Sequence, residues 1–210
     1  ITAIVRTPNT DEVWVAMALD AGADGVLVPY CETVDEVRHT AIKAKTHPLK
    51  GEYYEKVVAT GEYPSEKSEK YLNNRHKDRI FIMGIESEPA ANRVEELIEC
   101  APIDAVFIGP NDMTTSLGIP DEVDNPIYID TLSKIIKAAD DRGLPTMIHQ
   151  QTISTSAKAI ELGARFIMHS SDAGILLRGT QDEFAELRKI AGKKHGGVAE
   201  VVAEDTLDVV

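Results

Sequence analysis

The sequence predicts an α/β fold built on a parallel sheet, either doubly wound or a (β/α)8 barrel, with repetition along the chain favouring the barrel. Three observations lead there. Short runs rich in Val, Ile or Phe, apolar on both faces, alternate with amphipathic stretches, as strands buried in a parallel sheet do. Three phrases, DAGADGVLV, CAPIDAVFI and ELGARFIM, repeat one logic: a helix end, a short turn, then a strand. Finally, 210 residues fit one domain. A complete barrel of eight units runs to about 250 residues, so against six strands the reading expects two further βα units. The barrel is expected over 1–192 and an acidic C-terminal tail over 193–210.

The six strand candidates, in order, are Thr2–Val5, Gly25–Pro29, Ile80–Ile85, Ala105–Ile108, Thr146–Ile148 and Phe166–Met168. Helices are expected between them. Thr33 and Glu36 form a capping box ahead of Val34, Val37 and Ala41 at helical spacing. Lys43 and Lys45 are expected on the solvated face of that helix. Residues His47–Asp78 are charged and tyrosine-rich and read as a loop or lid with some helix. Ser87 is placed as the cap of one helix, Glu88–Cys100. The stretch Asn111–Asp124 reads as a second long connection. Asn125 precedes a first-turn proline, with Ile129, Leu132, Ile136 and Ala139 continuing the stripe to Gly143. Thr152 leads Ile153–Leu162, and a box at Thr180 and Glu183 is expected to cap the last helix.

Charge and cysteine content narrow the function. With 35 acidic residues against 22 Lys plus Arg, the net charge is −13, which argues against a nucleic-acid partner. No run of 18 apolar residues exists, so a membrane span is not expected. Cys31 and Cys100 form no CxxC pair and no zinc spacing, so the expectation is a reducing, cytoplasmic setting. Cys31 is expected to be a packing residue. No GxGxxG or P-loop supports nucleotide binding.

In parallel α/β folds the chemistry lies beyond the carboxyl ends of the strands. The residues there are Arg6, Tyr30, Glu86, Gly109 to Asp112, His149 to Gln151 and His169 to Ser171. Glu86 and Asp112 follow consecutive strands and should be neighbours at the mouth. Two facing carboxylates repel unless a cation lies between them, and two oxygen ligands with open positions suit Mg²⁺ or Mn²⁺. The alternative is that Glu86 caps the following helix and Asp112 caps a turn. Gly109-Pro110-Asn111-Asp112 would let a carboxylate approach backbone N–H groups, or is an ordinary turn. Arg6 could polarise a carbonyl, or form a rim ion pair. His149 and His169 read as rim residues. None of the six strands contains Lys, so they supply no Schiff-base nucleophile.

The segments IESEPA (Ile85–Ala90) and FIGPNDMTTSLGIP (Phe107–Pro120) resemble the HpcH/HpaI aldolase/citrate lyase family. IVRTPNT (Ile4–Thr10), DAGADGVLVP (Asp20–Pro29) and ELGARFIMHSSD (Glu161–Asp172) resemble further family segments in the same order. The resemblance implies a metal-dependent pyruvate aldolase on a (β/α)8 barrel. It gives Glu86 and Asp112 as the metal ligands, for Mg²⁺ or Mn²⁺ with Co²⁺ as a third candidate. It gives the backbone of Gly109, Pro110, Asn111 and Asp112 as the carboxylate-binding segment, and Arg6 as the catalytic arginine that contacts the keto oxygen. It also implies a homo-oligomer, a hexamer in many members. The family's Asp/His pair lies on a strand ahead of this sequence, so neither His149 nor His169 is assigned the role of general base.

Two departures stand out. The family's Gly-x-Arg-Gly stretch, which helps shape the aldehyde side, corresponds to HPLKGEYYEK (His47–Lys56), without that Arg. A glutamine common two residues before the first ligand is Gly84 here. The expected reaction is reversible cleavage of a 4-hydroxy-2-oxo acid to pyruvate and an aldehyde. The rivals are an acyl-CoA lyase of the citrate lyase or malyl-CoA lyase kind, which would favour basic rim residues, and a catalytically silent barrel acting in binding or assembly.

Overall fold

A computed structural model of the chain describes residues 1–195. Six parallel strands lie side by side in sequence order: β1 (Ile4–Arg6), β2 (Gly25–Val28), β3 (Ile80–Ile85), β4 (Ala105–Ile108), β5 (Thr146–Gln150) and β6 (Phe166–His169). This unbroken order is the connectivity of a barrel wall, because each βα unit places its strand beside the last. Register aligns Arg6 with Leu27, Ile82 with Ala105, Ile85 with Ile108 and Ile108 with Ile148.

Both faces of the central strands are buried, which explains why those runs are apolar throughout. Val26, Phe81, Met83, Val106 and Ile148 pack outward into the helices. Leu27, Ile82, Ala105 and Phe107, with Ile80 and Met147, form a smaller cluster on the inner face. The expectation of burial on both faces fails for β1 and β6. Ile4, Val5 and Phe166 are exposed because their strands are the two edges of the sheet.

The helices are α1 (Glu12–Asp20), α2 (Val34–Thr46), α3 (Gly51–Thr60), α4 (Glu66–His76), α5 (Glu88–Asn92), α6 (Val94–Glu99), α7 (Pro110–Ser116), α8 (Pro126–Asp140), α9 (Ile153–Glu161) and α10 (Asp172–His195). The capping box of Thr33 and Glu36 forms, and Asn125 and Thr152 cap α8 and α9. Among the described residues no helix is long and apolar enough to cross a membrane.

Several expectations are corrected. The single helix Glu88–Cys100 is two, α5 and α6, broken where Arg93 leaves helical geometry at φ −115 and ψ 14. Thr180 does not start a helix. It lies inside α10, and its hydroxyl donates to the Leu176 carbonyl one turn back. The connection Asn111–Asp124 contains most of α7. The acidic tail beyond 195 lies outside the described residues.

The stretch His47–Asp78 is not a lid. It forms α3 and α4, which pack against α2 on the outer flank. Tyr54 is buried there, its hydroxyl within 2.7 Å of both Glu12 Oε2 and the His39 carbonyl. Lys43 is therefore not solvated: its ammonium lies 3.4 Å from the Tyr54 ring centroid and 3.3 Å from Glu12. Lys45 is also drawn in, donating to the Arg79 carbonyl at 2.5 Å and to Asp104 at 2.7 Å. Below them, His47 pairs with Asp20 at 2.7 Å and His76 bonds the His47 carbonyl. None of these contacts involves Arg6, Glu86 or Asp112.

Candidate active site

Strand alternation decides which side chains face inward. Ile82 lies in the inner cluster, so Gly84 and Glu86 follow it on that face. Arg6 is level with the inner-face Leu27, and Gly109 continues the row of Phe107. Met147 places His149 inward by the same count. The sequence-derived candidates therefore do converge on one face at the carboxyl ends of β1, β3, β4 and β5.

Glu86 is the centre of this cluster. Its side chain is 1% exposed, and the Arg6 guanidinium approaches Oε2 at 3.4 Å. Gly109 makes the space: a Cβ there would lie 3.0 Å from Glu86 Oε1 and 3.3 Å from Cδ and Cγ, closer than side chains ordinarily pack. Burial pushes the Glu86 pKa up. The nearby Arg6 charge pulls it down, and the negative field of Asp112 pushes it up again. A carboxylate in this state is incompletely neutralised, because one half-exposed arginine at its outer edge does not replace the lost water.

Glu86 does not cap the next helix. Ser87 does, its Oγ accepting from the Ala90 N–H at 3.4 Å. Asp112 stands in the first turn of α7, where Gly109 is the N-cap and makes no side-chain cap hydrogen bond. Pro110 has no N–H to offer, which leaves the first-turn donors of Asn111 and Asp112 without intrahelical acceptors. Tyr30, the second residue beyond β2, donates from its hydroxyl to Asp112 Oδ1 at 2.6 Å. That bond, with some burial, pushes the Tyr30 phenol up to about 12, so it remains a donor at neutral pH.

The remaining candidates divide. His169 accepts or donates at 3.0 Å with Ser156 Oγ and is a rim residue, as expected. His149 is near Gln151 at 3.4 Å and shares the inner row with Glu86, separated by the side-chain-less Gly109. Cys31 is fully buried and its thiol is pushed up to about 12 by burial, which leaves it an inert packing group. Tyr30 was visible at a strand end but carried no role in the sequence. Its contact depends on a backbone turn at φ 53, a conformation that residue identity does not announce for tyrosine.

Among the described residues no three His, Cys, Asp or Glu side chains gather as a metal cage. Two hard carboxylate groups suit a cation that keeps several positions for water or substrate. They suit a structural zinc site poorly, since that needs four closed ligands. The donor set and the Gly109 cradle therefore fit Mg²⁺ or Mn²⁺.

Comparison with known proteins adds to this geometry. The family model described as HpcH/HpaI aldolase/citrate lyase matches residues 1–178. The chain is 29% identical over 181 residues to a hydroxypyruvate/pyruvate aldolase of Sagittula stellata, covering 84% of this chain and 69% of that one. It is 26% identical over 182 residues to a 5-keto-4-deoxy-D-glucarate aldolase of Salmonella arizonae, covering 85% and 69%. Among solved structures, an HpcH/HpaI aldolase/citrate lyase family protein from Burkholderia cenocepacia J2315 superposes with a TM-score of 0.74 at 26% identity, covering 89% of this chain and 74% of that one.

Proposed function

The chain belongs to the HpcH/HpaI aldolase/citrate lyase family, and on that premise we propose that it is a divalent-metal-dependent aldolase of a (β/α)8 barrel. The reaction is cleavage of a 4-hydroxy-2-oxo acid to pyruvate and an aldehyde, run reversibly. The observation that carries the reading is the Glu86 carboxylate, 1% exposed and incompletely neutralised, beside a glycine that leaves room for it.

Glu86 and Asp112 would hold the cation, Mg²⁺ or Mn²⁺ by their oxygen chemistry. When bound, such an ion supplies Lewis acidity that draws electron density from the 2-oxo group as the C3–C4 bond breaks. The chain's own groups do the rest. The first-turn N–H groups of Asn111 and Asp112 receive the substrate carboxylate, with Gly109 and Pro110 shaping the approach. Arg6 points its guanidinium over the mouth and donates to the oxygen on which enolate charge develops. A base takes the 4-hydroxyl proton, the C4–O bond becomes the aldehyde carbonyl as the C3–C4 electron pair moves to the pyruvate fragment, and the protonated base or water returns a proton to C3. The inner apolar layer of Leu27, Ile82 and Phe107 underlies these groups and keeps them on rigid strand ends.

The test is pyruvate release from a 4-hydroxy-2-oxo acid by the full-length protein, assayed after chelation and return of Mn²⁺. Glu86→Ala and Asp112→Ala are each expected to abolish the metal-dependent activity. Retention of activity in either variant would overturn the ligand assignment.

A further inference from the structure

Tyr30 is not explained by packing. The residue is 44% exposed, yet its backbone is held at φ 53, a left-handed conformation that is uncommon for a bulky residue. The cause lies in β3. A Cβ on Gly84 would sit 2.8 Å from the Val28 carbonyl and 2.9 Å from Pro29 Cα, so only glycine lets the chain leaving β2 cross there. The Cys31 N–H then donates to the Gly84 carbonyl at 3.0 Å and fixes the crossing. The turn swings the Tyr30 hydroxyl across to Asp112. A residue from a third strand end thus holds one of the two carboxylates.

We propose that Tyr30 is a positioning residue for the cation site: by donating to Asp112 Oδ1 it fixes the orientation of that carboxylate and leaves its second oxygen available to a divalent ion. The inference rests on the cation-site reading above. A carboxylate on a short helix turn rotates about its side-chain bonds, and an outer hydrogen bond that fixes its orientation reduces the ordering needed on metal binding. The donor is a neutral phenol, so it fixes the oxygen without adding a competing charge.

The test uses the full-length protein, apo, titrated with Mn²⁺ alone while free Mn²⁺ is read by electron paramagnetic resonance. Tyr30→Phe keeps the ring and the backbone N–H and removes only the hydroxyl. We expect its Mn²⁺ affinity to fall by about ten- to a hundredfold, the usual range for loss of an outer-shell partner. Its metal-free thermal midpoint should match the wild type, which separates positioning from folding. Saturating Mn²⁺ should restore kcat while KM for the 2-oxo acid stays at the wild-type value. Unchanged or tighter Mn²⁺ binding in Tyr30→Phe would overturn the proposal while leaving the cation site standing. A kcat deficit that persists at saturating Mn²⁺ would also overturn it, because Tyr30 would then act on substrate. Failure of the wild type itself to bind Mn²⁺ would sink the cation site, and this inference with it.

Discussion

Two clusters of buried charge in this molecule look alike in composition and behave oppositely. On the outer flank, Lys43 is buried between Glu12 and the Tyr54 ring, and the Tyr54 hydroxyl lies within reach of Glu12 and the His39 carbonyl. Every charge there meets an opposite charge or a π face at close range. At the strand ends, Glu86 is as deeply buried but its ion-pair partner is a half-exposed Arg6 at 3.4 Å, with Asp112 adding like charge. Burial of a charge is therefore a poor mark of function by itself. A buried charge whose neighbours fail to neutralise it indicates a ligand that would.

The largest effect that could break this contrast is catalytic. The conservative variants Glu86→Gln and Asp112→Asn are expected to lower Mn²⁺-dependent turnover by about a thousandfold or more, since several kcal/mol of charge stabilisation go with the ion. Lys43→Met on the flank should leave turnover within about twofold, as nothing in that cluster reaches the reacting groups. Steady-state pyruvate release measures both, and a flank variant as damaged as a mouth variant would erase the distinction.

Next in size is stability. Tyr54→Ala removes a side chain that is 1% exposed and should destabilise the fold by about 3–5 kcal/mol. Below its melting range it should still turn over substrate. Urea unfolding followed by circular dichroism gives the first value and a parallel assay the second.

The pH dependence sharpens the contrast with a definite sign. The folded pKa of Glu86 is raised above its ordinary value of 4.5. Its contribution to the stability of the metal-free protein is therefore fully present below 4.5 and is lost as pH rises through the raised folded pKa. Above that window the fold carries a buried, ionised carboxylate that Glu86→Gln does not. The variant should gain stability over the wild type as pH rises from 4 toward 8 in chelator, while losing activity. Urea midpoints that run parallel across this range would contradict the electrostatic picture.

How much of this was legible in the sequence follows from where each signal lives. The boundaries of β3 and β4 were readable because those strands are buried on both faces and nothing else explains such runs. The placement of Arg6 and Glu86 side by side, with Asp112 in the first turn after β4, was readable because residues that follow parallel strands share one end of the sheet. The flank was misread because the polar residues Lys43, Tyr54 and Glu12 are far apart in sequence and bury one another only after α3 docks. Thr180 was misread because the four-residue pattern of a capping box occurs equally well inside a longer helix. Tyr30 escaped because its role depends on Gly84, on another strand.

The smallest expected effect checks the local helix reasoning. Thr33→Ala removes one half of the capping box at the start of α2 and should cost about 1 kcal/mol. Activity should not change, and a thermal melt is sufficient to see the shift.

The central claim is that one divalent ion sits between Glu86 and Asp112. Crystals of the full-length protein grown with Mn²⁺ and measured at a wavelength where manganese scatters anomalously test it directly. The account predicts a single strong anomalous peak with one oxygen of Glu86 and Oδ2 of Asp112 at about 2.1–2.2 Å, as carboxylate ligation of such ions requires. A peak elsewhere, or none with both carboxylates turned apart, would contradict it.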